Sequence, residues 1–595
     1  MAEEKKETES TKSKKKTKKE KKEKGESFKD LKIAYRDIED PKKFKKNILF
    51  PLIGMGVLVF ILPFILQAAI PIPLDLNPIT FIIGGIVPII LGIFYPYIAW
   101  KNKEADINGK MHFFITHLRV LAISDTSIKD IIGMLGGNPA YGSLGEEIRK
   151  IGILSTQWRM PLAKSFMFIS KRTPSKILGD FLDRFSQSLD SGVEPREFIE
   201  TEQEAVLEEY KTMYEASNEN ITILSEVYVS LLISIIFIMA LGIVLPMIIG
   251  AEDMNTFIFM SSFLLIISEG MLLYLMKSMI PPDEVWHQTG EKGDLEENLE
   301  NLFRVSIMAC VALGAVLLVM KYTIALPLFQ MIPFEIVIAL SLSPLMIVGV
   351  KLLKAEQDIS RKEKSFLGFL PALGSIATMR GGRINPSVYY LSEKDYGVLT
   401  KHIRDLYRRL RTRINDDESW EQFGVDTGSN FIQRCCEMFR QSTNAAANPR
   451  NAARMVSENI RKIRDLRVKK MAIVNTTAAL FGGITFGIAF SVYTSLVIAR
   501  HLNTIMLESM ASNPFEGTTI DVGAILSTVP PDIFTNNFMI IYIVLIMHCF
   551  MLALTIRTLR GSHMLMTLFY FVPFVWVVAI TGVFIDLGLG GYLGI

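Results

Sequence analysis

A chain of 595 residues, half of them apolar, carries 64 Lys plus Arg against 61 Asp plus Glu. Its mean hydropathy of +0.31 is too high for a soluble protein whose first 48 residues are mostly charged. The apolar excess must lie in segments far above that mean, which excludes a purely soluble chain.

Residues 1–48 form a basic tail rich in Lys and Glu, expected to be largely disordered. Phe28, Leu31, Tyr35 and Ile38 share one helical face, which suits a short interfacial helix. Lys42, Lys43, Lys45 and Lys46 would then meet anionic lipid. The first apolar run follows a long polar stretch, so no cleavable signal peptide is expected.

Nine nearly charge-free runs follow, at 49–69, 79–100, 226–249, 257–276, 305–326, 332–352, 471–499, 538–556 and 563–585. About 20 apolar residues cross a ~30 Å hydrocarbon core, so each is read as a transmembrane helix. The fifth is charge-free only from Val305 to Met320, and Lys321 would have to snorkel. The expected organisation is all-α. Transmembrane helices 1–2 occupy 49–100, a helical module 101–225, helices 3–6 residues 226–352, a basic second module 353–470, and helices 7–9 residues 471–595 with an external loop 500–537.

Charge sets the expected orientation in the cell membrane. The basic tail stays inside, both modules are cytoplasmic, and the turn 557–562 with Arg557 and Arg560 returns inside, leaving the C-terminus external. The outside turn near 250 has Glu252 and Asp253. The cytoplasmic loop 277–304 departs from the pattern by being acid-rich, but acidic residues count little in this rule.

The modules look like copies. At an offset of 255, Phe114 meets Phe369, Leu118 meets Leu373, Tyr141-Gly142-x-Leu144 meets Tyr396-Gly397-x-Leu399, and Ile148-Arg149 meets Ile403-Arg404. After one gap the offset is 254. Phe185-x-Gln187-Ser188 then meets Phe439-x-Gln441-Ser442, and Pro195-Arg196 meets Pro449-Arg450. Helical stripes appear in both, at Ile199, Val206, Tyr210 and Met213, and at Ile403, Leu406, Tyr407, Leu410 and Ile414. Each module is long enough for a core of its own.

They differ in charge: 101–225 has 15 basic and 18 acidic residues, 353–470 has 23 and 14. Arg404, Arg408 and Arg411 lie opposite the apolar stripe, and Arg461, Lys462, Arg464, Arg467, Lys469 and Lys470 crowd the approach to the seventh run. A solvated face with positive-inside anchoring is the plain reading; docking of an acidic partner on Arg404, Arg408, Arg411, Arg461, Lys462, Arg464 and Arg467 is the sharper one. Nucleic acid is not expected, because aromatic residues do not interleave with the basic ones.

Chemistry is sparse. No G-x-x-x-x-G-K-[ST] loop, G-x-S-x-G elbow or HExxH spacing occurs, so no catalytic residue, cofactor or metal site is assigned. Cys435 and Cys436 are adjacent, and no second pair completes a zinc site. Within the runs Glu269 is the clear ionisable residue; Glu335 opens the sixth run and reads as interfacial. A transporter would use such a carboxylate, whereas a packing role needs only a hydrogen bond. Gly483 and Gly487 have the spacing of close helix packing or of small lipid-facing residues.

Two helical modules running straight into membrane helices resemble the platform proteins of type II secretion and type IV pili. The likeness rests on 113–225 and 366–475, with the paired F-x-Q-S and P-R positions. Leu189-Asp190-Ser191-Gly192-Val193 looks like that family's mid-module turn; the second copy has Thr443-Asn444-Ala445 and lacks the glycine. The extra spans, the basic second module and Met379-Arg380-Gly381-Gly382 look most like the archaeal branch, the platform of the archaellum. The resemblance implies a non-enzymatic platform, a homodimer. A hexameric secretion or motor ATPase would dock on it, and pilin-like filament subunits would be inserted by it. An adhesive archaeal pilus platform is the alternative within the superfamily.

Overall fold

A computed structural model describes residues 49–51, 53–54, 57, 78–124, 126–249, 254–280, 283–287, 293–322, 332–412, 415–511 and 531–590. The run 49–69 and the tail lie largely or wholly outside these residues. The chain divides into two compact units, Met1–Ala105 and Asp106–Ile595. In the first, Trp100 is buried and Lys101 donates to Glu104 at 2.8 Å. All further contacts described belong to the second.

The described residues are almost entirely helical. In chain order the helices are α1 (Pro78–Ala122), α2 (Ile128–Gly137), α3 (Gly142–Thr156), α4 (Leu162–Ser170), α5 (Lys176–Asp190) and α6 (Pro195–Ile249). Next come α7 (Met254–Met279), α8 (Asp294–Tyr322), α9 (Phe334–Leu342), α10 (Leu345–Met379), α11 (Ile384–Ser392) and α12 (Thr400–Thr412). The last are α13 (Asp416–Thr427), α14 (Asn430–Asn444), α15 (Pro449–Ala511), α16 (Pro531–Arg560) and α17 (Thr567–Ile585). One isolated β-bridge, Trp286 to Ser429, interrupts the pattern.

Among the described residues six helices are long and apolar enough to cross a membrane, within α6, α7, α8, α15, α16 and α17. The run 79–100 lies in α1. The sixth run, expected as one span, is broken: α9 and α10 meet at a 42° bend. Pro344 is the cause, since proline has no N–H to donate and its ring crowds the carbonyl one turn back in the helix. Trp576 Nε1 donates to the Ser343 hydroxyl at 3.0 Å across the break. Lys321 ends α8 and donates to the Ile332 carbonyl. The segment expected as loop 500–537 is helical at both ends, as α15 runs on to Ala511 and α16 starts at Pro531.

The helices of the two modules recur in one order. At offset 254, α5 maps onto α14 and the start of α6 onto the start of α15. Ser175 and Ser429 cap α5 and α14 alike, accepting from Leu178 N at 3.1 Å and Ile432 N at 3.2 Å. Gly142 and Gly397 both take positive φ, 48° and 60°. The missing glycine makes no difference to the turn. Gly192 has φ 75° and Ala446, its counterpart, φ 64°. Val193 N bonds Ser188 O at 3.1 Å, and Ala447 N bonds Ser442 O at 3.0 Å. A left-handed alanine is strained, so Ala446→Gly should raise stability by about 0.5–1 kcal/mol. Thermal unfolding in detergent measures it; an unchanged or lower midpoint would refute the strain.

The modules do not have separate cores. One buried cluster runs from Ile107 through Phe181 and Tyr210 to Phe369, Phe423, Phe439 and Leu466. Phe113 and Phe431 rings lie 5.7 Å apart across it. Asn459 Nδ2 donates to His112 O at 3.2 Å, Arg434 to Ala140 O, and Asn138 to Glu437. Burial holds His112 and His117 neutral, their pKa pushed down to about 3. A second cluster, including Tyr228, Leu265, Phe481, Leu545 and Val575, is the core of the apolar bundle.

Candidate coupling surface and polar junction

On α12, Ile403, Leu406 and Leu410 are buried, which turns Arg404, Arg408 and Arg411 outward. Arg408 reaches Asp405 at 3.0 Å on the exposed face, and Arg404 Nε donates to Ser392 O at 3.2 Å at its partly buried edge. Tyr407 is half-buried, and Ile414 lies outside the described residues. The three arginines therefore form a single accessible patch.

The second basic stripe divides. Arg461 and Lys462 are exposed and Arg464 half-buried. Arg467, expected among the docking residues, is instead consumed inside the protein, its side chain 13% exposed. Its guanidinium binds Asp283 through Nε at 2.8 Å, approaches Glu363 at 3.6 Å and lies 4.9 Å from the Phe431 ring centroid. Asp283 also accepts from the Tyr214 hydroxyl at 3.0 Å, and Glu363 from the Ser429 hydroxyl at 2.6 Å. Burial disfavours the Asp283 carboxylate, but Arg467, Lys470 and Tyr214 outweigh it and hold its pKa at about 2.

This junction ties five pieces of chain together: α6, the segment after α7, α10, the start of α14, and α15. The segment 283–287 is stitched to α14 by Asn430 N to Val285 O at 3.1 Å and by Asn430 Nδ2 to Glu284 O at 3.3 Å. Gly561, at φ 69°, packs so closely that a Cβ there would meet Asp283 O at 2.1 Å. The acid-rich loop that departs from the charge pattern thus supplies a structural carboxylate. Of the acidic residues in 194–219, Glu200 pairs with Arg119, Glu202 and Glu209 with Arg184, and Glu215 with Lys469.

Glu269 sits within the apolar bundle, 2% exposed. It is hydrogen-bonded to His548 Nδ1 and accepts from the Tyr228 hydroxyl at 3.3 Å, joining α16, α7 and α6. His548, fully buried, is the partner that charge counting overlooks, because a run free of Asp, Glu, Lys and Arg can still hold a histidine. Glu335, in the first turn of α9, is buried at 3% exposure, and its carbonyl accepts from the Tyr542 hydroxyl at 3.0 Å. Gly483 and Gly487 face open space, so their spacing does not mark a close approach. That occurs at Gly349, where a Cβ would lie 2.7 Å from the Phe569 backbone. Cys435 and Cys436 are buried, and burial pushes both thiols up. Among the described residues no group of three or more His, Cys, Asp and Glu is placed to hold a metal.

The family described as Type II secretion system (T2SS), protein F matches residues 114–243, the first module and the helix that carries it into the apolar bundle. That stretch is similar to the class of multi-pass membrane platforms. Two relatives then give the branch. Flagella accessory protein J of Methanocaldococcus jannaschii is 32% identical over 563 residues, covering 93% of this chain and 96% of its own. Flagella accessory protein J of Methanococcus voltae is 32% identical over 545 residues, covering 91% and 95%. The chain belongs to the flagella accessory protein J family, the platform proteins of the archaellum. No solved structure matches it significantly.

Proposed function

We propose that this platform couples a cytoplasmic hexameric motor ATPase to assembly of a pilin-like filament, and to that filament's rotation. The observation that carries the reading is the accessible arginine patch of α12, set on a module that continues into the bundle through α15. Recurrence of the module helices at a nearly constant offset supports a duplicated module, of which the second copy is the basic one. The charge distribution supports both modules inside, the C-terminus outside, and a homodimeric platform remains the expected assembly. The energy source is external, since the sequence has no P-loop.

The test is reversal of Arg404, Arg408 and Arg411 to Glu. Losing three cationic contacts should weaken ATPase binding by roughly 100-fold or more at low ionic strength, less at high salt. Cells carrying the triple variant should lose surface filaments and swimming. Unchanged affinity at low salt would remove the docking role from this face. Loss of an adhesive filament with swimming retained would move the chain to pilus assembly.

A further inference from the structure

A cavity of about 510 Å³ lies where α10, α15 and α16 reach the charged ends of their apolar runs. Its wall on α15 runs from Arg464 to Asn475, across the start of the run at Met471. On α10 it begins at Glu356, just after the run ending at 352, and α16 contributes Arg560. It therefore occupies the level where lipid headgroups meet hydrocarbon.

Its charges do not balance. Three acids line it, Asp283, Glu356 and Glu363, against five bases, Lys364, Arg464, Arg467, Lys470 and Arg560. All three acids are satisfied within the protein. Asp283 and Glu363 share Arg467, and Glu356 accepts from Ser562 at 3.0 Å, Trp286 at 3.3 Å and Arg560 at 3.4 Å. Lys364, Arg464 and Lys470 have no ion-pair partner among the described residues. Lys470 is only 3% exposed and lies 5.8 Å from the Tyr214 ring centroid. Its nearest counter-charge is Asp283, which already binds Arg467, and an ammonium that buried is costly when its counter-charge is shared. Ile359, Met471 and Ala472 give the same cavity an apolar wall.

We infer that this cavity binds the phosphate headgroup of an anionic membrane lipid, held by Lys364, Arg464 and Lys470, with the first part of its hydrocarbon chains on the Ile359–Met471–Ala472 wall. Free phosphate shares the headgroup chemistry, but it would leave that wall unoccupied. A bound lipid bridges α10 and α15 beside the Asp283–Arg467 junction, so the junction becomes dependent on lipid.

The test uses the full chain in nanodiscs of phosphatidylcholine with and without phosphatidylglycerol, with bound lipid counted by native mass spectrometry. One phosphatidylglycerol should be retained in roughly tenfold preference to phosphatidylcholine. Combined Lys364→Gln and Arg464→Gln, both away from the buried ion pairs, should cut that preference by about tenfold, with the melting midpoint in phosphatidylcholine unchanged. Lys470→Gln should cut the preference likewise, with a lower midpoint in either lipid because Lys470 also helps hold the Asp283 charge. Equal retention of the two lipids by the unaltered protein, or full retention by the double variant, would overturn the site. Displacement of the lipid by millimolar inorganic phosphate would overturn lipid as the occupant.

Discussion

Arg467→Met is expected to destabilise the protein by roughly 3–5 kcal/mol, because it leaves Asp283 and Glu363 buried without a cation. The pair is not a surface ion pair of marginal value: the arginine is 13% exposed and Asp283 12%. Tyr214 and Ser429 would still donate to the two carboxylates, but neither neutralises them. Removing charge on both sides, with Asp283→Asn added to Arg467→Met, should recover much of the loss, since the penalty comes from an unpaired charge more than from the missing contact. Thermal unfolding of the detergent-purified protein measures both. A single variant as stable as the unaltered protein would mean that water reaches the junction freely.

The second large effect is expected at Glu269. Glu269→Leu strands His548 and the Tyr228 hydroxyl in an apolar bundle, at a cost of about 1–3 kcal/mol. Glu269→Gln retains a carbonyl oxygen that can accept from both, so filament assembly and swimming should survive it. His548→Leu combined with Glu269→Leu should be less damaging than Glu269→Leu alone. The decisive comparison is the swimming phenotype of Glu269→Gln. Abolished swimming with a normally folded platform would show that the carboxylate's proton chemistry matters, and that the group does more than pack.

Much of the architecture could be read from the residues, and the failures have physical reasons. Lipid-crossing helices announce themselves by composition alone, so the runs beginning near 226, 257, 305, 471, 538 and 563 reappear as helices. The likeness of Tyr141-Gly142 to Tyr396-Gly397 shows in sequence because a positive φ at both glycines favours that residue. Ala446 broke the pattern in sequence while keeping it in backbone, since neighbouring hydrogen bonds impose the turn on a residue that does not prefer it. The bend at Pro344 went unread, because the run 332–352 stands out by its lack of charge and a proline inside it adds none. Arg467 was not legible as a buried residue. Its partners lie 184 and 104 positions earlier in the chain, and helical spacing says nothing about contacts at that range. His548 was hidden because a neutral imidazole carries no formal charge and leaves its run looking fully apolar. The outward face of Arg404, Arg408 and Arg411 followed from the stripe of Ile403, Leu406 and Leu410, because burial of one side of a short helix fixes the other.

Helix α15 has 63 residues without a break, and α6, packed against it, has 55. At 1.5 Å per residue they are about 95 Å and 80 Å long. Neither carries a loop between module and bundle where a movement could dissipate. Paired along their length, they form a stiff beam. A tilt imposed at the Pro449 end is delivered at the Ala511 end with its sense reversed about whatever point the bilayer holds fixed. A pivot at Met471, where the apolar run of α15 begins, would divide the helix into arms of roughly 33 Å and 60 Å. A small stroke at the Pro449 end would then become a larger sweep at the Ala511 end.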